Sequence, residues 1–302
     1  MQITSNFQTE PFPRQEKQFL AVPIPLDFDL VHGFAKGRIS VIMPAYNEAH
    51  CIEQSIASVK RQFDEFSSDY EIILVDDGSE DGTGKLVQSL APSRVKVVSY
   101  VENRGKGFAV KTGFNHVTGE YTFIMDSDLE VVPTELQEYI DTLKSLDVVI
   151  GSKRHPGSIV RTVALRRFLS LGYNVLERLL VGVRVSDTQA GLKGWRSTTL
   201  YKVVPLMSVK GYAFDLELLA IASLLGVRVK ELPVDIELRG SVGTKQLILM
   251  LIDTFRIAYR LRLRRSYQKK LPYFSRAPAL IIPWTAIRDS IKSLSHVRRG
   301  SP

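Results

Sequence analysis

Several features that mark other protein classes are scarce in this chain of 302 residues. Cys51 is its single cysteine, so no disulfide can form within the chain, which is typical of a reducing compartment. The first 19 residues contain no apolar core, so we predict no signal peptide. The longest apolar run towards the C-terminus, residues 247–252, is far shorter than the roughly 20 residues that a membrane-spanning helix needs.

Acidic residues are scarce in the last part of the chain. From residue 254 onward there are 12 lysines and arginines against one acid, Asp289, so this segment carries +11 and residues 1–253 carry −3 of the chain's +8. The basic residues alternate with Leu, Ile, Tyr, Phe and Trp, which favours an anionic membrane surface over nucleic acid as the partner. We therefore expect a peripheral protein on the cytoplasmic face of a membrane, with no transmembrane helix.

Composition divides the chain into three regions. We predict a polar N-terminal arm at residues 1–37, a main domain at 38–240, and basic amphipathic helices with a tail at 241–302. In the main domain, apolar segments alternate with segments of helical spacing; the apolar ones are residues 38–44, 70–77, 95–101, 121–126 and 147–153. This alternation predicts βαβ units, and hence an α/β fold with a mostly parallel sheet flanked by helices.

Polar residues follow each of the first four predicted strands, at residues 44–48, 76–79, 102–107 and 126–128. In an open α/β sheet, ligands bind beyond the carboxyl ends of the strands, and the ends of parallel strands share one edge. The sequence therefore predicts a single polar cleft that four strand ends line.

The fourth predicted strand ends in "DSD", where Ser127 separates Asp126 from Asp128. Residues i and i+2 leaving a strand present their side chains to the same side, where two carboxylates repel unless a cation lies between them. Mg²⁺ and Mn²⁺ bind such oxygens and keep coordination positions open for phosphate. We predict a divalent metal site here; the alternative is a pair of turn acids that cap the next helix.

The other strand ends give weaker signals. Asp76 or Asp77 is placed to accept hydrogen bonds from a base edge or a ribose hydroxyl, or else to form an Asp-Gly turn. Tyr46 is placed to stack on a flat base, or else to pack in the core. Glycines on both sides of Lys106 let the backbone approach an anion at the start of a helix.

Together these motifs resemble glycosyltransferase family 2, which has the Rossmann-like GT-A fold. The segments that carry the resemblance, in the order and spacing of the family, are "SVIMPAYNE", "IILVDDGSEDGT", "NRGKGFAVKTGF", "FIMDSDLE" and "VIGSKR". Residues 166–196 and 211–236 are similar to the branch whose acceptor is dolichyl or another polyprenyl phosphate. The resemblance covers about residues 38–262 and leaves out the N-terminal arm and the last part of the tail.

The resemblance implies roles for individual residues. A nucleotide-sugar donor would lie along Pro44, Tyr46, Glu48, Asp76, Asp77, Lys106, Asp126, Ser127, Asp128, Arg196, Arg239 and Lys245. The metal ion, Mg²⁺ or Mn²⁺, would be held by Asp126, Asp128 and Glu130. Where the family pattern has an arginine at the start of the acceptor loop, this chain has Lys153 followed by Arg154, and either residue would grip phosphate.

The implied reaction is inverting transfer of a sugar from a donor of the UDP-glucose or GDP-mannose type to dolichyl or polyprenyl phosphate, for glycan or glycoprotein biosynthesis. A phosphate monoester is largely anionic at neutral pH, because its second pKa is about 6, so it needs cations more than it needs a base. The alternative is a hydroxyl acceptor on a soluble glycan or protein, with Asp187 or Asp215 as the base. With a phosphate acceptor, we expect both aspartates to act by positioning other groups.

Two segments have amphipathic helical spacing. In residues 244–265 the spaced positions are Leu247, Leu251, Phe255, Ala258 and Arg262; in residues 166–182 they are Phe168, Leu169, Tyr173, Leu176, Leu179 and Leu180. We predict that both helices contact a membrane interface, where lysine and arginine reach the headgroups. The alternative is packing against the sheet or against a second subunit in a homo-oligomer.

Overall fold

A computed structural model of the chain describes residues 34–66, 69–90, 92–128, 130–133, 135–161, 164–237 and 243–271. The strands in these ranges are Ala35–Ala45 (β1), Tyr70–Asp77 (β2), Val95–Tyr100 (β3), Gly119–Met125 (β4), Val131–Pro133 (β5), Val148–Gly151 (β6), Ile159–Arg161 (β7), Leu192–Arg196 (β8), Val229–Leu232 (β9) and Val234–Glu237 (β10). The α-helices are Ile52–Phe66 (α1), Thr83–Leu90 (α2), Lys106–Phe114 (α3), Leu136–Ser145 (α4), Ala164–Leu180 (α5), Ser197–Val203 (α6), Phe214–Leu224 (α7), Thr244–Ala258 (α8) and Ser266–Lys270 (α9).

Seven strands form the main sheet in the order β3-β2-β1-β4-β8-β6-β9. Strand β8 runs antiparallel to both of its neighbours, and the other pairings are parallel. A second, three-stranded sheet has the order β5-β10-β7. The predicted α/β fold with a mostly parallel sheet flanked by helices is confirmed.

Helices cover both faces of the main sheet, because successive residues of its central strands point to opposite sides. On β1 and β2, Ile42 and Ile73 face a core that α3, α6 and α7 complete. Their neighbours Val41 and Ile72 face a second core, which α1 and α4 complete. Strands that are buried on both faces need apolar side chains at every position, which is why they read as continuous hydrophobic runs.

The described C-terminal segment packs on the first core. The inner side of α8, the π-helical turn Tyr259–Leu263 and α9 contribute Ile257, Leu261 and Tyr267 to that core. Tyr267 donates its hydroxyl hydrogen to the fully buried carboxylate of Glu217 on α7. The predicted border at residue 240 falls between the described ranges, and the helices after it share a core with the main domain.

The structure adds elements to the sequence prediction. Strand β1 begins at Ala35, three residues before the predicted start, and β6 is shorter than the predicted strand at 147–153. The antiparallel strand β8 and the three-stranded sheet had no prediction, because their strands are short and polar residues interrupt them. Within the described residues, no helix is both long and apolar enough to cross a membrane.

Candidate functional site

The carboxyl ends of β1, β2, β3 and β4 lie at one edge of the main sheet. The parallel register pairs Ala45 with Asp76, and Asp76 with Ser99. On the other side of β1, Ile42 pairs with Ile124, which places Asp126 close to the level of Pro44. The structure thus brings four of the predicted polar segments to one edge.

The loops after β1 and β2 are tied together by hydrogen bonds. Asn47, whose φ of 58° is in the left-handed region, donates its N–H to the Ser79 hydroxyl and accepts the N–H of Glu80. The Glu48 N–H is donated to the hydroxyl of Thr83. These bonds fix the backbone around Tyr46, whose side chain remains 43% exposed at the edge of the sheet.

Asp76 and Asp77 are adjacent in sequence but differ in their partners. The Asp77 carboxylate accepts three hydrogen bonds, from the Tyr100 hydroxyl at 2.6 Å and from the backbone N–H groups of Arg104 and Gly105 at 2.8 Å each. Asp77 therefore anchors the turn after β3. Asp76 accepts the N–H of Ser79 at 3.0 Å through one oxygen, so it is the better placed of the two to bind a donor.

The glycine-rich turn needs its glycines for packing. Gly105 has a φ of 93°, and a Cβ there would lie 2.5 Å from the carbonyl oxygen of Lys210. That same carbonyl accepts the N–H of Gly107 at 2.7 Å. The turn is thereby pinned to residues 209–211, and it directs Lys106 towards the end of β4.

Lys106 makes an ion pair with the first acid of the "DSD" motif. Its Nζ lies 2.6 Å from Oδ1 of Asp126. Burial alone would lower the pKa of Lys106, but Asp126 and then Asp215 raise it above its ordinary value. Lys106 is therefore a cation at neutral pH, held beside the predicted metal ligands.

The residues of the "DSD" motif present an incomplete ligand set. Asp128 accepts the N–H of Glu130 at 3.0 Å, and Ser127 is buried. Burial, and then the charge of Asp126, raise the pKa of Asp128 to about 6. Side-chain oxygens of Asp126, Asp128 and Glu130 do not gather within 4.8 Å of one another, so the predicted three-residue ligand set is not preassembled.

The chemistry at this strand end nonetheless fits a hard divalent ion. Oδ1 of Asp126 is buried and accepts no hydrogen bond of good geometry from the described residues, although Lys106 lies beside it. A second carboxylate, Asp128, is two residues away; burial first, and then the charge of Asp126, raise its pKa, and a dication would relieve the repulsion between the two carboxylates. Asp126 and Asp128 are the residues that would hold the ion, and Glu130 stays a prediction.

Asp215, a predicted base, lies behind the acids in a buried ion pair. Its Oδ1 is 2.9 Å from Nζ of Lys193, and both side chains are almost fully buried. Burial raises the pKa of Asp215, while Lys193 and Lys106 oppose that shift. The order of charges inward from the cleft is thus Asp126, Lys106, Asp215, Lys193, which alternates in sign.

Asp187, the other predicted base, is also paired with a lysine. Nζ of Lys153 lies 2.8 Å from Asp187 Oδ1, and the Lys153 N–H is donated to Oδ2 at 3.1 Å. Arg154 donates to the backbone carbonyls of Ser186 and Ser170. The guanidinium of Arg154 therefore braces the loop, which leaves Lys153 as the better phosphate ligand of the two.

The loop of residues 185–191 links α5 to the acids. At one end the Gly191 carbonyl accepts the N–H of Asp126. At the other end Glu177 of α5 accepts hydrogen bonds from Thr188 and Gln189, at 2.6 and 3.2 Å. Glu177 is buried, and that burial raises its pKa to about 7 against the effect of these two donors.

Three predicted donor ligands lie away from the polar residues at the strand ends or outside the described residues. Arg196 ends β8 beside Tyr121, at the opposite end of β4 from Asp126, and donates to the carbonyls of Leu143, Lys144 and Leu146 at the end of α4. The structure therefore does not bring Arg196 together with the other predicted donor ligands, because its antiparallel strand carries it to the far edge of the sheet. Arg239 is outside the described residues, and Lys245 is exposed near the start of α8.

The sequence prediction missed four polar residues that shape the site: Glu177, Lys193 and Glu217, which are buried, and Glu231, which is half-buried. Glu231 accepts hydrogen bonds from the N–H and hydroxyl of Ser186. Glu217 accepts the N–H groups of Ser208 and Val209, next to the residues that pin the glycine turn. The available signal was a charged residue inside an apolar run, as in "FDLELLAIASL" for Glu217.

One further group of potential ligands lies near the first loop. Among the described residues, the side-chain ligand atoms of Glu48, His50 and Cys51 come within 4.8 Å of one another. Cys51 donates its thiol hydrogen to Glu48, and burial, followed by that hydrogen bond, raises the pKa of the thiol to about 11. The thiol is therefore protonated at neutral pH and is a poor metal ligand.

Two helices present exposed apolar side chains. On α8 these are Ile248, Leu249, Leu251, Ile252 and Phe255; on α5 they are Leu169, Leu171 and Val175. The Tyr173 hydroxyl lies 2.8 Å from that of Thr254, which joins the two helices. We call these exposed residues the apolar face. It differs from the predicted positions, since Ala258 is buried and Tyr173 and Leu176 are half-buried.

Comparison with known proteins gives consistent results. The profile of the family described as Glycosyl transferase family 2 matches residues 40–202. The chain is 32% identical to dolichyl-phosphate beta-glucosyltransferase ALG5A of Trichomonas vaginalis, over 84% of this chain and 80% of that protein. It is 30% identical to the dolichyl-phosphate beta-glucosyltransferase of Dictyostelium discoideum, over 74% of each, and 31% identical to that of Mus musculus, over 68% and 69%.

Solved structures of the same architecture include glucosyl-3-phosphoglycerate synthase from Mycobacterium tuberculosis. Its complex with Mn²⁺, UDP and phosphoglyceric acid aligns with a TM-score of 0.56 at 20% identity, covering 74% of this chain and 77% of that one. Its complex with UDP aligns with a TM-score of 0.55 at 19% identity, covering 74% and 79%. This likeness supports the fold.

Proposed function

Because this chain belongs to glycosyltransferase family 2, we propose that it transfers glucose from UDP-glucose to dolichyl phosphate, with inversion at the anomeric carbon. The names of the relatives support both glucose and dolichyl phosphate. The solved complexes with UDP and Mn²⁺ support a uridine nucleotide and a divalent ion in this fold. A donor of the GDP-mannose type is the alternative.

The observation that carries this proposal is the loop of residues 185–191. It contacts Asp126 through Gly191 at one end and α5, with its exposed apolar residues, at the other. A polyprenyl chain stays in the bilayer, so an enzyme that uses it needs its donor site next to a surface that lipid can contact. One short loop joins those two features here.

On the donor side, we assign Tyr46 and Asp76 to the nucleoside and Lys106 to the diphosphate. Asp126 and Asp128 would hold Mg²⁺ or Mn²⁺, which when bound neutralises the charge that develops on the leaving diphosphate. Lys106 supplies a further positive charge on the same side as the leaving group. The chain thus concentrates cations where negative charge accumulates in the transition state.

On the acceptor side, Lys153 is the residue that we assign to the phosphate. Asp187 holds its ammonium from behind, while 18% of the Lys153 side chain is exposed. A lysine held in this way presents a compact positive charge that offsets repulsion between the acceptor phosphate and the donor diphosphate. Asp187 is then a positioning residue.

A hydroxyl acceptor would need a base, and both candidate aspartates are poorly suited to that task. Asp187 pairs with Lys153 and Asp215 pairs with Lys193, and each carboxylate is nearly fully buried. Each carboxylate is thus already held by an ammonium and closed to solvent, so neither is free to reach the proton of an acceptor hydroxyl. This favours a phosphate acceptor, which is already ionised at neutral pH, over a hydroxyl group on a soluble glycan or protein.

We assign membrane contact to the apolar face. Exposed apolar side chains lie on α8, which carries the exposed Arg256 in its last turn and is followed by the exposed Arg264 and Arg265. Apolar residues that enter the interface, flanked by cations that reach anionic headgroups, are typical of helices lying in the membrane plane. The lack of a disulfide partner for Cys51 supports the cytoplasmic side as the location.

The reaction is tested with radiolabelled donors. The purified protein, Mn²⁺ or Mg²⁺ and dolichyl phosphate in detergent are incubated with UDP-glucose or with GDP-mannose, and label in the extracted lipid is counted. We expect label from UDP-glucose, and loss of it by about a hundredfold or more in Asp126→Asn, since a ligand of the leaving-group metal is removed. If only GDP-mannose labelled the lipid, the donor would be GDP-mannose in place of UDP-glucose. If neither donor labelled the lipid, the proposed reaction would be rejected.

A further inference from the structure

The ion pair between Lys106 and Asp126 places a cation of the protein on a predicted metal ligand. Nζ of Lys106 is 2.6 Å from Oδ1 of Asp126, which is shorter than most lysine–carboxylate contacts. The oxygen concerned is the buried one, and no donor among the described residues makes a well-formed hydrogen bond to it. The principal partner of that oxygen is therefore the ammonium.

The geometry lets the side chain of Lys106 move while its backbone stays in place. Gly105 and Gly107 are packed against the carbonyl of Lys210, and Asp77 accepts the Gly105 N–H. By contrast, about a fifth of the Lys106 side chain is exposed, and it ends at the cleft. A lysine has a flexible stem of four carbons, so its ammonium can reach a new partner without movement of the helix.

Lys106 keeps a negative neighbour on its inner side. Asp215 is close enough to raise the pKa of Lys106, after Asp126, and Asp215 is itself paired with Lys193. These four groups alternate in sign and sum to zero charge. The site can therefore exchange one cation for another at Asp126 while the inner pair, Asp215 with Lys193, stays as it is.

We propose that Lys106 is an internal counter-ion that occupies Asp126 in the nucleotide-free protein, and that it leaves this carboxylate for the donor's diphosphate when the nucleotide binds. This rests on the proposed function only in taking a nucleoside diphosphate as the ligand. It makes binding of a divalent ion conditional on the nucleotide. In the absence of nucleotide, the ion and the ammonium compete for the same oxygen.

The physical reason is repulsion between like charges. An ammonium and a divalent ion at the same carboxylate oxygen repel each other, and water screens that repulsion poorly in a partly buried site. A diphosphate offers Lys106 an alternative partner of higher negative charge, so the pair with Asp126 opens without leaving an ammonium unpaired. The nucleotide and the metal ion then bind together, in agreement with a donor that carries both.

The test measures Mn²⁺ binding without any transfer reaction. Free Mn²⁺ is followed by electron paramagnetic resonance as it is titrated into wild type, Lys106→Met and Lys106→Arg, first alone and then with saturating UDP. Without UDP, we expect Lys106→Met to bind Mn²⁺ about tenfold or more tightly than wild type, and Lys106→Arg to bind as weakly as wild type. With UDP, we expect the advantage of Lys106→Met to disappear or reverse, because the diphosphate loses its lysine.

Lys144→Met is the matched control, since it removes one exposed lysine at the far edge of the sheet and should bind Mn²⁺ like wild type. Equal or weaker Mn²⁺ binding by Lys106→Met without UDP would overturn the proposal. If that variant does not fold, Lys106→Gln replaces it, since glutamine removes the charge and keeps a hydrogen-bond donor. Tighter Mn²⁺ binding by Lys106→Gln without UDP is then the expected result, and equal or weaker binding would overturn the proposal. Failure of sugar transfer in the wild type would leave this measurement unaffected.

Discussion

At the scale of single residues, partners decide what each acid does. Asp76 and Asp77 are adjacent and chemically identical, yet Asp77 accepts three hydrogen bonds that fix a turn, whereas Asp76 accepts the N–H of Ser79 through one oxygen. The sequence motifs correctly identified both acids as strand-end residues. They could not show which acid fixes the turn, because the partners of Asp77 come from β3 and from the glycine turn, more than 20 residues away.

Glu177 gives a prediction on pH and stability. Its folded pKa of about 7 lies above the ordinary value of 4.5. A raised carboxyl pKa contributes stability that is fully present below about pH 4.5 and is lost as pH rises through about 7. We expect Glu177→Gln to raise the melting temperature relative to wild type at about pH 8 and to lose that gain at about pH 5; the underlying free energy is at most roughly 3 kcal/mol.

Melting temperatures of both proteins across that pH range, by circular dichroism, check this prediction. Glu138→Gln is the control, because Glu138 is exposed and its substitution should leave the pH profile unchanged. A constant difference between Glu177→Gln and wild type at all pH values would show that the Glu177 carboxyl does not titrate as described.

Arg196 gives a prediction that separates folding from donor binding. Its guanidinium donates to three backbone carbonyls at the end of α4, and charge-assisted hydrogen bonds of this kind contribute about 1.5–3 kcal/mol each at most. We expect Arg196→Met to lower the free energy of unfolding by about 2 kcal/mol and to leave UDP affinity unchanged. Urea unfolding and isothermal titration with UDP measure the two quantities.

The control for Arg196 is Arg228→Met, an exposed arginine whose surface ion pair with Asp147 should contribute less than about 1 kcal/mol. A large loss of UDP affinity in Arg196→Met, with normal stability, would restore Arg196 as a donor ligand and contradict the position that we assign to it.

At the scale of elements, periodicity located the amphipathic helices but misassigned some of their faces. On α8 the sequence pattern selected Phe255 and Ala258 together, whereas Phe255 is exposed and Ala258 is buried in the first core. A helix with apolar residues on most sides gives no single stripe, so its inner face depends on what packs against it. Here the hydrogen bond between Thr254 of α8 and Tyr173 of α5 helps to fix which side of α8 faces inward.

The apolar face gives a prediction about membranes. We expect Ile248→Ser with Phe255→Ser to reduce binding to vesicles of phosphatidylcholine and phosphatidylserine by about tenfold or more, because each side chain contributes roughly 1.5–3 kcal/mol when it leaves water. Flotation of the protein with vesicles in a density gradient measures the bound fraction. Circular dichroism checks that the variant is folded.

Phe66→Ser is the matched control, since Phe66 is also an exposed phenylalanine, but it lies at the end of α1. If the control lost as much vesicle binding as the double variant, or if the double variant bound like wild type, the apolar face would not be the membrane contact. High salt should weaken wild-type binding further if headgroup charges contribute.

At the scale of the whole molecule, the alternation of strands and helices was enough to predict the sheet and the edge where the site lies. It was insufficient for the antiparallel strand β8, which crosses the sheet in the reverse direction and carries Lys193 behind the acids and Arg196 to the far edge. The burial of the charges at Lys193, Asp215, Glu177 and Glu217 was also beyond prediction, because each of these side chains is stabilised by a partner from another segment of the chain.

In the chain as a whole, one loop joins the proposed metal ligands at the end of β4 to the apolar face, and this arrangement is the basis of the proposed lipid-phosphate acceptor. The most direct test compares dolichyl phosphate with unphosphorylated dolichol as acceptors for labelled UDP-glucose, at matched concentration in the same detergent. We predict labelled lipid with dolichyl phosphate and none with dolichol. Dolichol has no phosphate group, and phosphate is the group that we assign to Lys153. Equal labelling of dolichol, or transfer to a soluble hydroxyl acceptor in preference to dolichyl phosphate, would contradict this account.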